Sequence, residues 1–468
     1  MDQTLQTVKI AQFAHRVQYE DIGMENIDQL KRHLLDSLGS LFHAAGKPAI
    51  GKLVKQMQEL ADGGHCEAPL LKRLPMDRAA QLYTALIRYP DFMDNYLGKE
   101  STCHPCDNIG ALFAASQYQA TSGKEFLRAM ATSYQLQCRL VEEIPVMTEG
   151  IDHTLVLSYS IVAGLAQLLH LTVEQTAHAL AIAGCSISPL ASSRASYTFE
   201  WKGFASCFDA FNCTNLALLA KEGMTGPLAL FEGPKGFKEI FGMKLEYEWE
   251  QEDFSLIPKC VLKTYNAEVH SQSTLEAVKD LQRKHQFRVE DIEKIDVTTF
   301  LTCYNIIGSG SYGNRKEVDT KEQADHSLFY LVAVLLLDGE IYPGQFEPDR
   351  IRQRDVQELL QKVHVHTGLP IHKPMKLAEK IDPYTAPYPE KMRSKVEIIF
   401  NDGHKISSEM DDYPGFNTRP LSWEQVTAKF RKLTADSISE HHKDQVIATV
   451  RELENKNMQE LLQLVNNI

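Results

Sequence analysis

The sequence predicts a mainly α protein, with a large all-helical domain formed by both chain ends and a smaller α/β (α+β) domain between them. Apolar residues recur every three or four positions from residue 4 to about 265 and again over 422–433, whereas residues 290–408 contain runs that alternate apolar and polar side chains. The first spacing follows one face of a helix and the second follows one face of a strand. Both patterns in separate blocks of one chain predict two domains.

The N-terminal block contains amphipathic and fully apolar helical segments. Residues 27–45 place apolar side chains on one helix face, while 158–171 and 176–183 are apolar nearly all round and predict buried central helices. Thr172-Val-Glu-Gln175 has the spacing of a capping box, in which the first and fourth side chains bond each other's main-chain N–H groups at a helix start. The small residues of 202–222 favour close approach between helices. This block is predicted to be the helical body of the protein.

The strand-like segments lie in the later part of the chain. Residues 292–300 alternate apolar and polar side chains, 363–366 repeat that pattern in miniature, and 396–400 with 404–408 predict a hairpin around Asn401-Asp-Gly403. The helical runs between these strands are 273–285, 324–338 and 355–363. Strands and helices in alternation predict an α/β domain.

These patterns divide the chain into three stretches. Residues 1–272 are predicted to form the first part of the helical domain, 273–408 the α/β lid domain, and 409–468 the C-terminal part of the helical domain. Ser422-Trp-Glu-Gln425 again has capping-box spacing and marks the return to helix. A chain of 468 residues also exceeds the size at which one hydrophobic core usually stops growing. Since the chain crosses between the domains twice, we expect a hinge over a cleft.

The charge of the chain argues against several function classes. The formal net charge is −13, and the sequence shows no basic stripe of the kind that binds nucleic acids or membrane surfaces. Any positive potential must then be local and buried, which suits a small anion better than a polyanion. We therefore expect a small carboxylated molecule as the partner, with no nucleic acid and no membrane.

Hydropathy and cysteine usage favour a reducing compartment. No apolar run approaches the ~20 residues that a membrane-spanning helix needs, and the first residues show neither a secretory nor an organelle signal. The nine cysteines are scattered without the spacing of a disulfide framework. The expected location is the cytoplasm.

One ten-residue stretch carries an unusual set of functional groups. Lys263-Thr-Tyr-Asn-Ala-Glu-Val-His270-Ser-Gln supplies a cation, a phenol, a carboxylate, an imidazole and an amide just before a predicted helix. A helix start on the surface does not need that set, whereas a site for a small polar anion does. Together with His104, His153 and Lys202, the stretch predicts an enzyme that acts on carboxylated substrates and uses no cofactor and no metal.

Six short motifs occur in the order of a known family. They are Asp94 ahead of His104-Pro-Cys-Asp-Asn-Ile-Gly110, Gly150-Ile-Asp-His153, Trp201-Lys202, Ala267-Glu-Val-His-Ser-Gln272, Ala324-Asp-His-Ser-Leu-Phe-Tyr330, and Asp412-Tyr-Pro414. Over nearly its whole length the sequence resembles the MmgE/PrpD family, which includes 2-methylcitrate dehydratase and cis-aconitate decarboxylase, and it looks closest to the dehydratase branch. The resemblance implies a helical domain built from both chain ends, an α/β lid, a homodimer and no iron–sulfur cluster.

The resemblance also implies a set of cleft residues, with two departures from the family. Matched motif by motif, the active-site residues are Asp94, His104, His153, Lys202, Lys263, His270 and Tyr330. Where the family often has Asp-Asp-Thr or Asn-Asp-Thr, this chain has Met93-Asp94-Asn95. After Tyr413-Pro414, only Arg419 remains of a Gly-His-x-Arg pattern. Both departures bear on the choice of substrate.

Elimination of water from a β-hydroxy acid needs groups that transfer protons. A proton leaves a carbon next to a carboxylate while hydroxide leaves the neighbouring carbon, and imidazoles transfer protons near neutral pH. We therefore predict His104, His153, Asp94 and Tyr330 as catalytic residues. Asp94 or Asp152 would fix the tautomer of a histidine, and Tyr330 would donate to the leaving oxygen, with a core tyrosine as the alternative for Tyr330.

The same reaction needs cations that hold the substrate carboxylates, because they spread the charge of the carbanion. Lys202 and Lys263 are predicted to clamp carboxylates, with His270 binding substrate or orienting Lys263. Arg194 and Arg419 are candidates for forked contacts to a further carboxylate, although a solvated surface arginine is the commoner explanation of either.

Three other signals carry less weight. Cys103-His-Pro-Cys106 has metal-ligand spacing, but zinc or an iron–sulfur cluster needs three or four ligands, so no metal is expected. Gly308-Ser-Gly310-Ser-Tyr-Gly313 fits the dinucleotide fingerprint as a pattern, but no βαβ unit frames it, and a flexible lid loop is favoured. Ser327 lacks the Gly-x-Ser-x-Gly elbow of a serine nucleophile.

The predicted function is a cofactor-independent hydro-lyase, 2-methylcitrate dehydratase-like, that eliminates water from 2-methylcitrate or a related tricarboxylate, as the resemblance implies. Decarboxylation of cis-aconitate and epimerisation of an aminodicarboxylate use the same carbanion chemistry and remain alternatives. A non-catalytic carboxylate-binding protein and a nicotinamide-dependent oxidoreductase are alternatives from other classes. The prediction requires Lys202, Lys263, His104 and His153 to converge in one crevice.

Overall fold

The computed structural model describes residues 1–60, 63–242, 244–373 and 375–468. The chain divides into two compact units. Unit 1 comprises Met1–Ala191, Gly203–Leu262 and Leu421–Ile468. Unit 2 comprises Ser192–Lys202 and Lys263–Pro420.

These units differ in their bounds from the stretches that the sequence patterns delimit. The chain passes between units at 262/263 and 420/421, whereas the predicted boundaries are 272/273 and 408/409. In addition, the short segment Ser192–Lys202 groups with unit 2, although it lies within the predicted helical part. That segment is irregular apart from two 3₁₀ turns, so it has no periodicity from which its unit could be assigned.

Helices make up most of the first part of unit 1. They are α1 (Gln6–Arg16), α2 (Met24–Ala44), α3 (Pro48–Leu60), α4 (Met76–Arg88), α5 (Ile109–Gln119), α6 (Gly123–Glu143), α7 (Thr154–Leu168), α8 (Val173–Ser186), α9 (Ala205–Lys221) and α10 (Phe237–Phe241). Every residue of α7 is buried, and this helix packs against α6, α8 and α9. The prediction that 158–171 includes a buried central helix is thus confirmed.

Unit 1 also contains two short antiparallel ladders that the prediction of an all-helical domain did not include. Strands β1 (Cys66–Ala68) and β2 (Leu71–Leu74) form the first, and β3 (Tyr96–Leu97) and β4 (Thr102–Cys103) form the second. Strands of two to four residues are too short to show an alternating pattern in the sequence. The β3–β4 ladder is nevertheless the element that positions one part of the candidate site.

Unit 2 is built on a four-stranded sheet. Its strands are β5 (Ile292–Thr299), β6 (Val363–Thr367), β7 (Ser394–Phe400) and β8 (Lys405–Met410), in the order β6-β5-β7-β8. β5 pairs in parallel with β6, while the β5–β7 and β7–β8 pairs are antiparallel. The predicted hairpin is confirmed, and Gly403 in its turn has a positive φ of 86°, which a residue with a side chain rarely adopts.

Helices cover this sheet and fill the connections between strands. They are α11 (Gln272–Lys284), α12 (Leu301–Ile307), α13 (Lys321–Ala324), α14 (Leu328–Asp338), α15 (Pro348–Ile351), α16 (Arg354–Gln361) and α17 (Met375–Ile381). α11 packs against β7 and β8, and α14 packs against α11, α16 and β6. The prediction of one helix over 324–338 is wrong, because the chain leaves the helical conformation between α13 and α14.

The chain ends with three helices of unit 1, namely α18 (Trp423–Leu433), α19 (Glu440–Arg451) and α20 (Met458–Asn466). The capping boxes predicted from Thr172 and Ser422 are both formed, at the starts of α8 and α18. α18 packs against α2, so the C-terminal segment completes the helical unit. Within the described ranges, no helix has both the length and the apolar character that a membrane span requires.

Candidate functional site

Unit 1 contains a group of buried polar side chains that we call the histidine cluster. Its members are His33, Asp94, His104, Tyr134 and His153. They come from α2, from the two sides of the β3–β4 ladder, from α6 and from the start of α7. Buried polar groups are stable only when they are hydrogen-bonded, so the partners of each member indicate its role.

The β3–β4 ladder places His104 beside Asp94. Tyr96 pairs with Cys103 and Leu97 with Thr102, so the residues just before β3 lie opposite the residue just after β4. The chain then turns into α5, which lies very close to α4. A Cβ added at Gly110 would be 2.4 Å from the main-chain nitrogen of Thr84, so this position requires glycine.

The hydrogen bonds of His104 indicate its tautomer. Its Nδ1 lies 3.0 Å from the main-chain carbonyl oxygen of Asp94. A carbonyl oxygen only accepts, so Nδ1 carries a proton and donates it, and in the neutral ring the lone pair is then on Nε2. Asn95 Nδ2 also lies 3.0 Å from Nδ1, and rotating that amide would bring its oxygen, which has no partner among the described residues, to the same N–H. The Nδ1–H of His104 is thus fixed by the main chain, which makes Nε2 the basic atom of the neutral ring.

His153 lies directly against His104. The two ring centroids are 5.2 Å apart, with an interplanar angle of 67°. His153 is the residue before α7, and its Nε2 is 3.7 Å from Asp152 Oδ1. Asp152 Oδ1 in turn accepts a bond of 3.1 Å from the Thr154 N–H, which fixes the carboxylate at the helix start. The structure therefore brings together the two histidines that the sequence proposes for proton transfer.

The carboxylate of Asp94 is engaged inside the cluster. Its Oδ2 accepts bonds of 2.8 Å from His33 Nδ1 and from the Tyr134 hydroxyl, and its Oδ1 accepts a bond of 3.0 Å from the Cys106 N–H. Burial, reinforced by the charge of Asp94, raises the pKa of Tyr134 well above its ordinary value, so the phenol remains a donor. These bonds favour the role of Asp94 in fixing a tautomer over direct contact with a substrate.

Unit 2 contains a second group, which we call the lysine cluster. Its members are Lys202, Lys263, Glu268, Asp325 and His326, and each is at least nine-tenths buried. Two lysines and two carboxylates in one buried group balance each other's charge, which is the usual condition for burying ionised side chains.

Asp325 is the centre of the lysine cluster. Its Oδ1 lies 3.1 Å from Lys202 Nζ and 2.7 Å from His326 Nδ1, and its Oδ2 accepts a bond of 2.8 Å from Lys321 Nζ. Burial alone would raise the pKa of Asp325, but Lys202 and Lys321, followed by His326, outweigh it and hold the pKa well below the ordinary value. Asp325 is therefore a permanent counter-ion for Lys202.

Glu268 and His270 form a second charged pair. Glu268 accepts bonds from the His270 N–H at 2.8 Å and from His270 Nδ1 at 2.7 Å. On the other side of the ring, His270 Nε2 lies 3.0 Å from the Tyr388 hydroxyl. Burial opposes ionisation of Glu268, but His270, His326 and Lys263 lower its pKa in that order. The predicted function of His270 as an orienting group fits this arrangement, since Glu268 connects it electrostatically to Lys263.

Tyr413 is a buried tyrosine whose hydroxyl has no hydrogen-bond partner among the residues that the structure describes. The segment that carries it is tied to the Lys263 segment, because the Thr264 hydroxyl donates to the carbonyl of Pro414. Burial, followed by the charges of Glu268 and Asp412, raises the pKa of Tyr413 well above its ordinary value. Tyr413 therefore offers an unused hydrogen-bond donor close to charged residues of the lysine cluster.

Three further predicted site residues lie in unit 2 with other partners. The Tyr330 hydroxyl donates to the Gln345 carbonyl, which favours the alternative of a core tyrosine. Arg419 is 43% exposed and pairs with Asp412 on its own loop at 2.8 Å. Arg194 is buried, and its main-chain carbonyl accepts a bond of 3.2 Å from Arg315.

Sequence reasoning missed several members of the two clusters. His33 lies within an apolar helical pattern, which gave no sign of a polar role for it. Asp325 and His326 stand in a motif matched to the family, but the predicted continuous helix hid them, and in the structure they fill the break between α13 and α14. Tyr413 also stands in a matched motif. The family motifs therefore identify Asp325, His326 and Tyr413, whereas the periodicity does not.

The glycine-rich loop at 308–313 lacks the context of a dinucleotide site. It follows helix α12, whereas the fingerprint requires a strand before the glycines and a helix after them. Arg315 holds the segment after the loop, with its N–H bonded to Ser309 Oγ at 2.9 Å and its Nε bonded to the Ile306 carbonyl at 2.8 Å.

Comparison with known proteins agrees with these motifs. The chain is 26% identical to the 2-methylcitrate dehydratase of Salmonella typhi over 421 residues, covering 85% of this chain and 83% of that protein. It is 26% identical to the 2-methylcitrate dehydratase of Escherichia coli (strain K12) over 406 residues, covering 81% and 80%. It is also 25% identical to the alkylcitrate dehydratase phiI of a fungal species over 463 residues, covering 91% and 87%.

Both conserved parts of one family are recognised along the chain. Residues 8–250 match the MmgE/PrpD N-terminal domain, and residues 265–455 match the MmgE/PrpD C-terminal domain. The first match contains the histidine cluster together with Lys202, and the second contains the rest of the lysine cluster apart from Lys263. The chain therefore belongs to the MmgE/PrpD family.

Proposed function

We propose that this protein is a hydro-lyase that eliminates water from 2-methylcitrate or a closely related tricarboxylate by acid–base catalysis, without a cofactor. The observation that carries the proposal is the pair of buried imidazoles, His104 and His153, with ring centroids 5.2 Å apart. Such a pair supplies a proton acceptor and a proton donor at one place, and both are needed for elimination.

His104 is the base in this proposal. Its Nδ1–H is held by the Asp94 carbonyl, so in this proposal Nε2 is the atom that takes a proton from the carbon next to a substrate carboxylate. A fixed tautomer matters because the imidazole cannot accept a proton at a nitrogen that already carries one. Asp94 acts by holding this orientation.

His153 is the acid that protonates the departing hydroxide. Its position at the start of α7 supports this role, because the main-chain N–H groups at a helix start favour negative charge nearby. Asp152, 3.7 Å from His153 Nε2, stabilises the protonated ring before the proton is given up. Water leaves as the carbon–oxygen bond breaks and the carbon–carbon double bond forms.

Lys202 and Lys263 bind substrate carboxylates in this proposal. A cation on the carboxylate next to the acidic carbon disperses the charge of the carbanion and so lowers the barrier. Asp325 and Glu268 supply negative charge beside the lysines, because each carboxylate has a lowered pKa and stays ionised. Tyr413 contributes a neutral donor to a substrate oxygen.

The choice of substrate rests on the relatives. Two of them bear the name 2-methylcitrate dehydratase and one the name alkylcitrate dehydratase. All are named for tertiary alcohols that carry several carboxylates. The chain departs from the family pattern at Asn95 and after Pro414. In this proposal, these two positions affect which alkyl group of the substrate the protein accepts.

The test is an assay with three substrates. Purified protein is incubated separately with 2-methylcitrate, citrate and cis-aconitate, and the conjugated double bond and released carbon dioxide are followed. The proposal expects a new double bond from 2-methylcitrate, with no carbon dioxide from any substrate. Carbon dioxide from cis-aconitate would identify a decarboxylase, and binding of the tricarboxylates without turnover would identify a carboxylate-binding protein.

A further inference from the structure

His33 is a member of the histidine cluster that has no role in the proposed proton transfers. It lies on α2, is 3% exposed, and its Nδ1 is 2.8 Å from Asp94 Oδ2. Its ring also meets the ring of Tyr134 edge-on, with centroids 6.2 Å apart. A histidine so enclosed must be satisfied through specific partners, and those partners indicate what it does.

The protonation of His33 follows from Gln29, one helical turn earlier. Gln29 Nε2 donates to the carbonyls of Ile257 at 3.0 Å and Cys260 at 3.3 Å, which identifies this end of the amide as the nitrogen. The same Nε2 is 3.4 Å from His33 Nε2, and because an amide nitrogen donates and does not accept, this contact favours the tautomer of His33 that has no proton on Nε2. The proton of His33 is then on Nδ1, where it is donated to Asp94.

Asp94 transmits this orientation to His104 through two separate groups. Its carboxylate, held by His33 and Tyr134, accepts from the Cys106 N–H two residues beyond His104. Its main-chain carbonyl accepts from His104 Nδ1. Asp94 thus fixes the chain on both sides of the β3–β4 ladder. Asp94 itself is held by two side chains, His33 and Tyr134.

A further ion pair lies behind His33 on the same helix. Asp36 is 2.8 Å from Lys429 of α18, and Lys429 also donates to the Phe92 carbonyl at 2.8 Å, two residues before Asp94. The charged and titratable groups around His33 are therefore Asp94 and Tyr134 in front and the Asp36–Lys429 pair behind. Of these four groups, Asp94 is the one hydrogen-bonded to the imidazole, so His33 acts through Asp94.

We propose that His33 is a positioning residue that selects the Nδ1–H tautomer of His104 through Asp94. The proposal rests on the proposed function for its kinetic consequence only. His33 touches no substrate. It keeps the Asp94 segment in the one place where its carbonyl can accept from His104 Nδ1, as an outer partner commonly does for a reacting group.

The first experiment compares His33→Ala and His33→Asn with the unaltered protein. The Asn amide can place an N–H close to the position of His33 Nδ1, whereas Ala removes the donor to Asp94. With the substrate that the three-substrate assay identifies, His33→Ala is expected to lower kcat by about 10–100-fold and to change KM little. His33→Asn is expected to recover most of the lost kcat. The matched control is His178→Ala, because His178 is a partly buried histidine of unit 1 whose Nδ1 also faces a carbonyl, that of Gly226.

The second experiment is independent of turnover. The histidines are labelled with nitrogen-15, and the proton–nitrogen correlations of each ring are recorded by NMR. The signals missing from a His104→Gln sample are those of His104, and they show which of its nitrogens is protonated. The Nδ1–H form is expected in the unaltered protein and in His33→Asn, and a mixture of tautomers in His33→Ala. If His33→Ala lowers only the unfolding temperature and leaves the tautomer unchanged, His33 is structural and the inference is overturned. If no substrate is turned over, the proposed function fails while this spectrum still decides the role of His33.

Discussion

The buried histidines His104 of unit 1 and His270 and His326 of unit 2 have different partners. In unit 1, His104 donates its Nδ1–H to a main-chain carbonyl, while in unit 2 His270 and His326 face the carboxylates of Glu268 and Asp325. A carboxylate stabilises an imidazolium far more than a carbonyl does. The difference separates His104, which is bonded to a neutral main-chain group, from His270 and His326, which are bonded to carboxylates.

The lysines support the same contrast. Two buried lysines of unit 1 have structural partners. Lys429 bonds to Asp36 on another helix and to the Phe92 carbonyl, and Lys443 bonds to Glu440 one turn earlier on its own helix. The buried Lys202 of unit 2 is bonded instead to Asp325, which interrupts a helical pattern and is shared with His326 and Lys321. A break in a helix filled by charged side chains costs stability, which is commonly tolerated where function requires it.

The largest expected effect is the removal of the neutral base. His104→Ala is expected to lower kcat by on the order of 10²–10⁴, because it deletes a group that transfers a proton in the transition state. Steady-state kinetics with 2-methylcitrate measures this effect. His178→Ala serves as the control, and a loss of similar size in that control would mean that His104 contributes stability and not proton transfer.

A smaller effect is expected when the charge in unit 2 is removed. Lys202→Met should lower kcat/KM by about 10–100-fold, the value of a charged hydrogen bond, and should raise KM as well as lower kcat. It also removes one of the partners of Asp325, which keeps Lys321 and His326, so the loss of stability should be smaller than the about 3–5 kcal/mol of a buried charge left with no partner. The double variant Lys202→Met with Asp325→Asn removes both charges.

That double variant separates binding from stability. It should recover most of the free energy of unfolding, measured with urea, while kcat/KM stays low. The control is Lys443→Met, which removes another buried lysine with a carboxylate partner, Glu440 at 2.6 Å, from unit 1. Recovery of kcat/KM together with stability would show that Lys202 has no part in substrate binding.

The pH dependence of stability should have opposite signs for one aspartate of each unit. The folded pKa of Asp325 lies below its ordinary value of 3.8, so its stabilisation is present above that value and is lost as the pH falls below it. Burial, against the attraction of Lys429, raises the folded pKa of Asp36 above 3.8, so its contribution becomes less favourable as the pH rises through 3.8. Asn at position 325 should therefore cost more near neutral pH than at about pH 3, and Asn at position 36 should cost less.

Urea unfolding of the two Asn variants and the unaltered protein at both pH values measures these differences. Comparing differences between variants cancels the many other groups that titrate in the same range. If the free energy of unfolding changes equally with pH in the two variants, Asp325 is not kept ionised by its lysines, or Asp36 is not disfavoured by burial.

Much of the fold followed from local sequence rules. Thr172 and Ser422 begin helices, and the Asn401-Asp-Gly403 turn joins two strands, because each depends on a few neighbouring residues. The site followed less completely. His104 was identified through the family motif, but its contact with Asp94 depends on the two-residue strands of the β3–β4 ladder, which are too short to leave a periodic pattern.

The missed residues have physical explanations of the same kind. His33 lies on a helix whose apolar spacing is regular, and only the fold reveals that its ring meets Asp94. Asp325 and His326 interrupt a run that reads as one helix, since the penalty for that interruption is offset by ion pairs with residues distant in the sequence, such as Lys202. Long-range partners of this kind leave no signal at the positions themselves.

The smallest expected effect compares one tyrosine from each unit. Tyr134 donates its hydroxyl to Asp94, whereas the Tyr413 hydroxyl is buried and has no partner among the described residues. Tyr134→Phe should therefore destabilise the protein by about 1–3 kcal/mol, since it leaves a buried carboxylate short of a donor. Tyr413→Phe should be neutral or stabilise by about 1 kcal/mol, because it removes a polar group that burial disfavours.

Thermal and urea unfolding of the two Phe variants without substrate test this pair, and kinetics then decide why the Tyr413 hydroxyl is present. If it donates to a substrate oxygen, Tyr413→Phe should raise KM by a few-fold while the free protein is no less stable, a combination that a structural hydroxyl cannot produce. Destabilisation by Tyr413→Phe would instead reveal a partner for the hydroxyl in the free protein, such as a bound water, and would remove Tyr413 from the proposed set of substrate contacts. Because the unliganded stability and the kinetic constants move in opposite directions only for a hydroxyl reserved for ligand, this pair of measurements distinguishes a site group from a core group without a structure of the complex.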